Sequence, residues 1–298
     1  MARRSGSMGA SLNGTAWRDR YYASTDGLQL HYRDYPAASD GRLPVLCLPG
    51  LTRNCRDFES TALRLQQTRR VLSPDLRGRG RSQYDPQWRN YHPGTYLDDI
   101  DRLLRDADAG QVILLGTSLG GILSMLIVAS APRVPAAVIL NDIGPEVASE
   151  GMQRIANYVG RHPPVANWDE AARQMRAMYR VAMPDAGDDD WMAFARRSYT
   201  EVDGVPQLDV DPGIGEAVRA APASGAPHLW PVYAALRPLP VLAIRGELSD
   251  VLSAATFERM AREKPDLERL TVARRGHPPL LDEPECVATI DTFLARLP

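Results

Sequence analysis

Short apolar runs of strand length alternate along the 298-residue chain with stretches whose apolar residues recur every three or four positions. The runs at 45–48, 70–72, 111–115, 136–140 and 241–245 show little polar alternation, the pattern of strands covered on both faces. Helical spacing marks 60–67, 96–107, 119–130, 254–263 and 284–297. Within 96–104, Tyr96, Leu97, Ile100, Leu103 and Leu104 form one face, and Asp98, Asp99, Asp101 and Arg102 turn the other way. This rotation of strand and helix predicts a mainly parallel sheet with helices on both sides. A hairpin precedes it, because runs at 20–23 and 28–35 flank Ser24-Thr25-Asp26-Gly27, and the glycine of an Asp-Gly pair accepts positive φ.

The rhythm breaks between Pro145 and Pro231, a segment rich in Met, Trp, Tyr and Asp with helical stretches at 148–159, 168–182 and 189–199. An α/β core over 20–144 and 232–298 is therefore expected to carry an inserted helical cap over 145–231, after a disordered start over 1–19. The acidic run from Asp185 to Asp190 lacks the spacing of a calcium loop and reads as a solvated turn and helix start.

Composition narrows the setting. Lys plus Arg number 35 against 37 Asp plus Glu, a net charge of −2, so no basic surplus exists to hold nucleic acid or an anionic membrane. The three cysteines, Cys47, Cys55 and Cys286, form no C-x-x-C pair, which argues against a disulfide scaffold or structural zinc and for a reducing compartment. Residues 1–14 lack the apolar stretch of a secretory signal, and the longest nearly apolar run, 120–131, falls short of the roughly 20 residues a membrane helix needs. A soluble cytoplasmic protein, monomer or homodimer, is the expectation.

The chemistry concentrates where the buried run Val112-Ile113-Leu114-Leu115 enters Gly116-Thr117-Ser118-Leu119-Gly120 and then an apolar helix. Small neighbours allow a strained turn that lifts the Ser118 hydroxyl off the sheet edge, at a helix N-terminus that favours developing negative charge. A serine hydroxyl needs a base, and the base needs an orienting acid. Of the five histidines, His277 is best placed, in Arg275-Gly276-His277-Pro278-Pro279 just after the strand-like 267–272. For the acid, Asp250 leads, because it follows a strand and a glycine turn and gives the order Ser, Asp, His. Asp142, after the preceding strand, and Glu247, in the same loop as Asp250, are its rivals.

With Leu46-Cys47-Leu48-Pro49-Gly50-Leu51 and Asp75-Leu76-Arg77-Gly78-Arg79-Gly80-Arg81-Ser82, each after a strand, these residues make the chain resemble the cap-bearing branch of the α/β-hydrolase superfamily over roughly 21–298. The resemblance implies the α/β-hydrolase fold and an oxyanion hole made by the backbone N–H groups of Leu51 and Leu119. Pro49 departs from the His usual there, but a backbone donor should survive that change. It also implies acyl transfer from a carboxylic ester or lactone, with no metal and no organic cofactor. Serine at 118 speaks against the dehalogenase and epoxide hydrolase relatives, which use Asp there. A carbon–carbon hydrolase acting on a ketone from aromatic ring cleavage is the alternative, set back by the short Pro49-Gly50-Leu51-Thr52 loop, and a small-ligand receptor is the alternative of another class. The arginines of 77–81 read as pins for a tight loop, since the phosphate-loop motif is missing. Arg53 is expected to reach the pocket and favour a carboxylate-bearing substrate, and Trp168, Tyr179 and Trp191 are expected to wall it.

Overall fold

The computed structural model describes residues 16–38, 41–130, 135–220 and 228–298. An antiparallel hairpin, β1 (Arg18–Ala23) and β2 (Gln29–Tyr35), is followed by β3 (Val45–Leu48), α1 (Glu59–Leu65), β4 (Val71–Pro74) and α2 (Pro93–Asp106). Next come β5 (Val112–Thr117), α3 (Leu119–Ser130) and β6 (Pro135–Asn141). A long excursion then carries α4 (Ser149–Tyr158), α5 (Trp168–Tyr179), α6 (Asp188–Ser198), the hairpin β7 (Tyr199–Val202) and β8 (Val205–Leu208), α7 (Gly213–Ala220) and α8 (Trp230–Ala234). The chain closes with β9 (Val241–Gly246), α9 (Ala254–Glu263), β10 (Glu268–Val272) and α10 (Pro284–Ala295).

Eight strands form one sheet in the order β1-β2-β4-β3-β5-β6-β9-β10, antiparallel at β1, β2 and β4 and parallel from β4 onward. The period of two within each apolar run explains why both faces are covered. Leu46, Leu48, Leu72 and Leu114 pack with α2, α3, α8 and α9 on one side. Val45, Cys47, Ile113, Leu115 and Ile139 pack with α1 and α10 on the other. The excursion has an apolar centre of its own, built from Met175, Tyr179, Trp191, Phe194 and Tyr199.

Three features differ from the sequence reading. Residues 18 and 19 of the start expected to be disordered belong to β1, and 1–15 lie outside the described residues. The β7–β8 hairpin was not anticipated, although Asp203 and Gly204 at its tip both have positive φ and repeat the Asp-Gly signal recognised at 26–27. Asp99, assigned to the solvated face of α2, is 1% exposed and accepts from Nε and Nη2 of Arg77, both at 2.7 Å. The cause is Arg77 itself, which draws Asp99 and Asp85 (2.6 Å) inward and also reaches the exposed Asp26 at 2.8 Å. The loop after β4 is thus pinned by arginine, as the sequence suggests. Asp75 completes the lock, accepting from the N–H of Cys55 (2.7 Å) and Arg81 (3.0 Å). Among the described residues no helix is long and apolar enough to cross a membrane.

Removing Arg77 strands two buried carboxylates. Arg77→Met is expected to cost about 3–5 kcal/mol and lower the melting temperature by about 6–10 °C, with Asp99→Asn in the same chain recovering part of the loss. Calorimetry of the single and double variants checks this, and equal melting points for wild type and Arg77→Met contradict it.

Candidate active site

Ser118 sits at the sharp bend between β5 and α3 with φ of +52°, a left-handed conformation costly for any residue with a Cβ. The packing around it tolerates no alternative. A Cβ on Gly120 would lie 2.0 Å from the Leu48 carbonyl oxygen, and one on Gly116 would lie 2.3 Å from that of Gly120. Both positions demand glycine because α3 crosses directly over β3 and β5. The Ser118 N–H is tied to the Asn141 carbonyl at 3.0 Å, which fixes the bend to the end of β6.

His277 hangs in the loop after β10, its Nε2 2.9 Å from Ser118 Oγ and its Nδ1 2.8 Å from Asp142 Oδ2. An ionised carboxylate only accepts, so Nδ1 donates to Asp142, and in the neutral ring that tautomer turns the Nε2 lone pair toward the serine. Asp142 directly follows β6 at φ of +55° and is fully buried. Its second oxygen accepts the Gly246 N–H at 2.7 Å, and Ser249 Oγ donates to the first at 2.6 Å. Asn141 spans the site, donating from Nδ2 to the Pro279 carbonyl (2.9 Å) and to Thr117 Oγ1 (3.1 Å).

Asp250, the favoured acid, is not on His277. It faces Arg154 of α4, with contacts of 2.5 and 2.8 Å. Desolvation is the largest influence on its carboxyl and pushes upward, but the hydrogen bonds and charge of Arg154 hold it below the ordinary carboxylate range. The reason for the exchange is distance along the loop. Asp142 lies immediately past its strand, whereas Asp250 lies beyond the turn from Gly246, where the Asp250 carbonyl accepts from Gly151 and the Val251 carbonyl from Ala148 of the excursion. Both aspartates satisfy the chain order Ser, Asp, His, so order could not separate them. Glu247 points elsewhere, accepting from the Arg274 N–H.

The loop at 49–52 abuts the serine, since a Cβ on Gly50 would stand 3.7 Å from that of Ser118. Neither Leu51 N–H nor Leu119 N–H donates to any described residue. The Gly50–Leu51 peptide is held by the Arg53 N–H on the Gly50 carbonyl (3.1 Å), and the Leu51 carbonyl accepts from Nε of the fully buried Arg79 at 2.9 Å.

Ser118 and His277 open into a cavity whose walls mix apolar and charged side chains. Arg53 and Tyr179 line it, together with Thr52 of the 49–52 loop and with Tyr158, Phe194 and Arg197, which the sequence analysis does not name. Thr52 Oγ1 and Tyr179 Oη are 3.1 Å apart. Trp168 and Trp191 do not line it. Trp168 donates to Glu201 under the guanidinium of Arg196, and Trp191 is buried against Phe194. Arg53 is held charged by Asp57 against the pull of burial, and its Nη1 donates to Ser198 Oγ at 2.6 Å. A second cluster, His31, Cys55 and Asp75, groups atoms a metal could use. They are already engaged: His31 bridges Asp75 (2.7 Å) and Asp19 (3.0 Å), and both Asp75 oxygens accept backbone N–H groups.

The Arg154 partnership predicts an acid-sensitive contribution from Asp250. Its folded pKa is lowered, so its stabilisation is complete above the unfolded value near 4 and is lost as pH falls through the lower folded one. Asp250→Asn is expected to cost ~1 kcal/mol at pH 7, about 2–3 °C in melting temperature, with the gap to wild type closing as pH drops below about 4. Thermal melts at pH 7 and pH 3.5 test it, and a gap independent of pH contradicts it.

A model described as the alpha/beta hydrolase family matches residues 45–289. A crystal structure of an alpha/beta hydrolase from Novosphingobium aromaticivorans superposes with a TM-score of 0.89 at 44% identity, covering 95% of this chain and 99% of that one. The chain is also 29% identical over 275 residues to a 3-hydroxybutyrate-oligomer hydrolase of Cupriavidus necator, covering 89% of this chain and 93% of the relative. A 2-(acetamidomethylene)succinate hydrolase of Mesorhizobium japonicum is 30% identical over 234 residues, 78% of this chain and 81% of that protein.

Proposed function

The chain belongs to the α/β hydrolase family, and from that premise we propose that it is a serine hydrolase cleaving a carboxylic ester or lactone through an acyl-enzyme, with Ser118, His277 and Asp142 as its triad. The observation that carries this reading is the unbroken line from Ser118 Oγ to His277 Nε2 (2.9 Å) and from His277 Nδ1 to Asp142 (2.8 Å) at the floor of the cavity. His277 takes the hydroxyl proton as Ser118 Oγ attacks the carbonyl carbon. The oxyanion that forms is held by the Leu51 and Leu119 N–H groups, each worth about 3 kcal/mol of barrier. His277 then passes its proton to the departing alkoxide as the ester C–O bond breaks, and in a lactone that alcohol stays tethered to the acyl group. Water, deprotonated by His277, attacks the acyl carbon and restores Ser118 and the free acid. The excursion over 145–231 acts as the cap, supplying Tyr158, Tyr179, Phe194 and Arg197 to the pocket wall. The relatives named for an oligomer of a hydroxy acid and for a substituted succinate favour small acid derivatives as substrates.

Labelling with a fluorophosphonate should add one covalent mass to the protein and none to Ser118→Ala. A protein that resists labelling contradicts the reading and returns the receptor alternative. On a p-nitrophenyl ester, Asp142→Asn is expected to lower kcat by about four orders of magnitude, because the imidazole loses its required tautomer. Asp250→Asn should keep at least a tenth of wild-type kcat. The reverse ranking would restore Asp250 as the acid.

A further inference from the structure

Besides the proposed triad, the ionisable acidic and basic side chains lining the cavity are those of Arg53, Asp57, Arg197 and Asp282, with Tyr158 and Tyr179 beside them. Arg53 and Asp57 neutralise each other through a two-pronged contact, Nε to Oδ2 at 2.6 Å and Nη2 to Oδ1 at 2.5 Å. That arginine, the one the sequence singles out, has its charge already matched.

Arg197 is in a different state. Among the described residues no carboxylate oxygen lies within 4.0 Å of its guanidinium, and the guanidinium makes no hydrogen bond to any of them. Its backbone is nonetheless immobilised at the end of α6, where its carbonyl accepts from Asn54 Nδ2 at 3.0 Å and Arg56 Nε at 2.9 Å. Its guanidinium carbon stands 5.5 Å from the centroid of the Phe194 ring, itself part of the cavity wall. A half-buried arginine with a fixed root, an aromatic wall beside it and an unused fork of donors is matched by a planar anion that accepts two hydrogen bonds.

We propose that Arg197 anchors a carboxylate carried by the substrate, so that the preferred substrates are esters bearing a free carboxylate at the end of the chain remote from the scissile carbonyl. The inference rests on the serine-hydrolase reading of the same cavity. Asp282, at the rim, is the charged group that opposes it. Desolvation first and Glu283 next hold its carboxyl above the ordinary range, while the charge of Arg197 pulls it down. Both residues line the cavity, so a substrate carboxylate beside Arg197 meets attraction from its guanidinium and repulsion from Asp282. The two residues thus give variants of opposite sign.

The test compares monoethyl adipate with ethyl hexanoate, which have matched chains ending in a carboxylate and a methyl group. Wild type is expected to favour the anion in kcat/KM by about tenfold or more, as charge-assisted recognition allows. Arg197→Met should lower the anion-to-neutral ratio by about tenfold, chiefly through KM. Arg197→Lys should retain part of the preference, and Asp282→Asn should raise it. A ratio within twofold of wild type in Arg197→Met and unmoved by Asp282→Asn overturns the anchor but leaves the serine hydrolase standing, since wild type still turns over both esters. A wild-type protein that hydrolyses neither ester and takes up no fluorophosphonate overturns the underlying reading, and the anchor with it.

Discussion

The contact on which the site depends is the approach of α3 to β3, where the Gly120 Cα lies so near the Leu48 carbonyl that no side chain fits between them. That closeness lets α3 start at once after β5, forces Ser118 into a left-handed backbone, and projects its hydroxyl past the ends of the strands. The strain at one residue is of order 1–3 kcal/mol and persists because the neighbouring elements over-determine it. The Leu48 end of β3 lies under the helix, and the Ser118 N–H is held by the Asn141 carbonyl of β6. The same strand ends then carry Asp142 and the 49–52 loop, so Ser118, Asp142 and the Leu51 and Leu119 N–H groups, which donate to no described residue, share one edge.

The roles of the two aspartates follow from where the chain is free to move. Asp142 stands one residue past its strand, with its N–H on the Ile244 carbonyl and its carboxylate receiving Gly246 and Ser249 from the next strand and loop. Its position is fixed by the sheet. Asp250 lies farther out, on the loop that holds Ala148, just before α4, and Gly151 and Arg154 within it. A carboxylate there is well placed to fasten the excursion and poorly placed to orient an imidazole.

Much of this was legible because apolar periodicity reports burial, and burial decides the architecture. The five apolar runs became β3, β4, β5, β6 and β9, and the elbow and His277 were visible because each needs a particular residue type beside a strand end. The choice between Asp142 and Asp250 was not legible, since both lie after strands in the same order and only the partner of each carboxylate separates them. Trp168 and Trp191 misled for a related reason. A large aromatic at helical spacing fills whichever hollow is nearest, and here Trp191 fills the centre of the excursion itself. Arg197 escaped notice because an arginine in a run such as Arg196-Arg197 carries no mark in sequence of which side chain faces the cavity.

The cavity wall is shared between the sheet and the excursion, and the join is polar. Gly276, beside His277, donates to the Ala182 carbonyl at 2.9 Å, Arg275 reaches Asp185 at 2.6 Å, Asn54 holds the Arg197 carbonyl, and Arg53 holds Ser198. Each bond runs from a loop at the strand ends to the excursion. Hydrogen bonds and ion pairs have strict distance and angle requirements, whereas apolar contacts slide at little cost, so a join of this kind sets the excursion in one register over Ser118. The backbone at Arg197 is thereby fixed over the strand ends that carry Ser118, which leaves the stem of its side chain to place the guanidinium in the cavity.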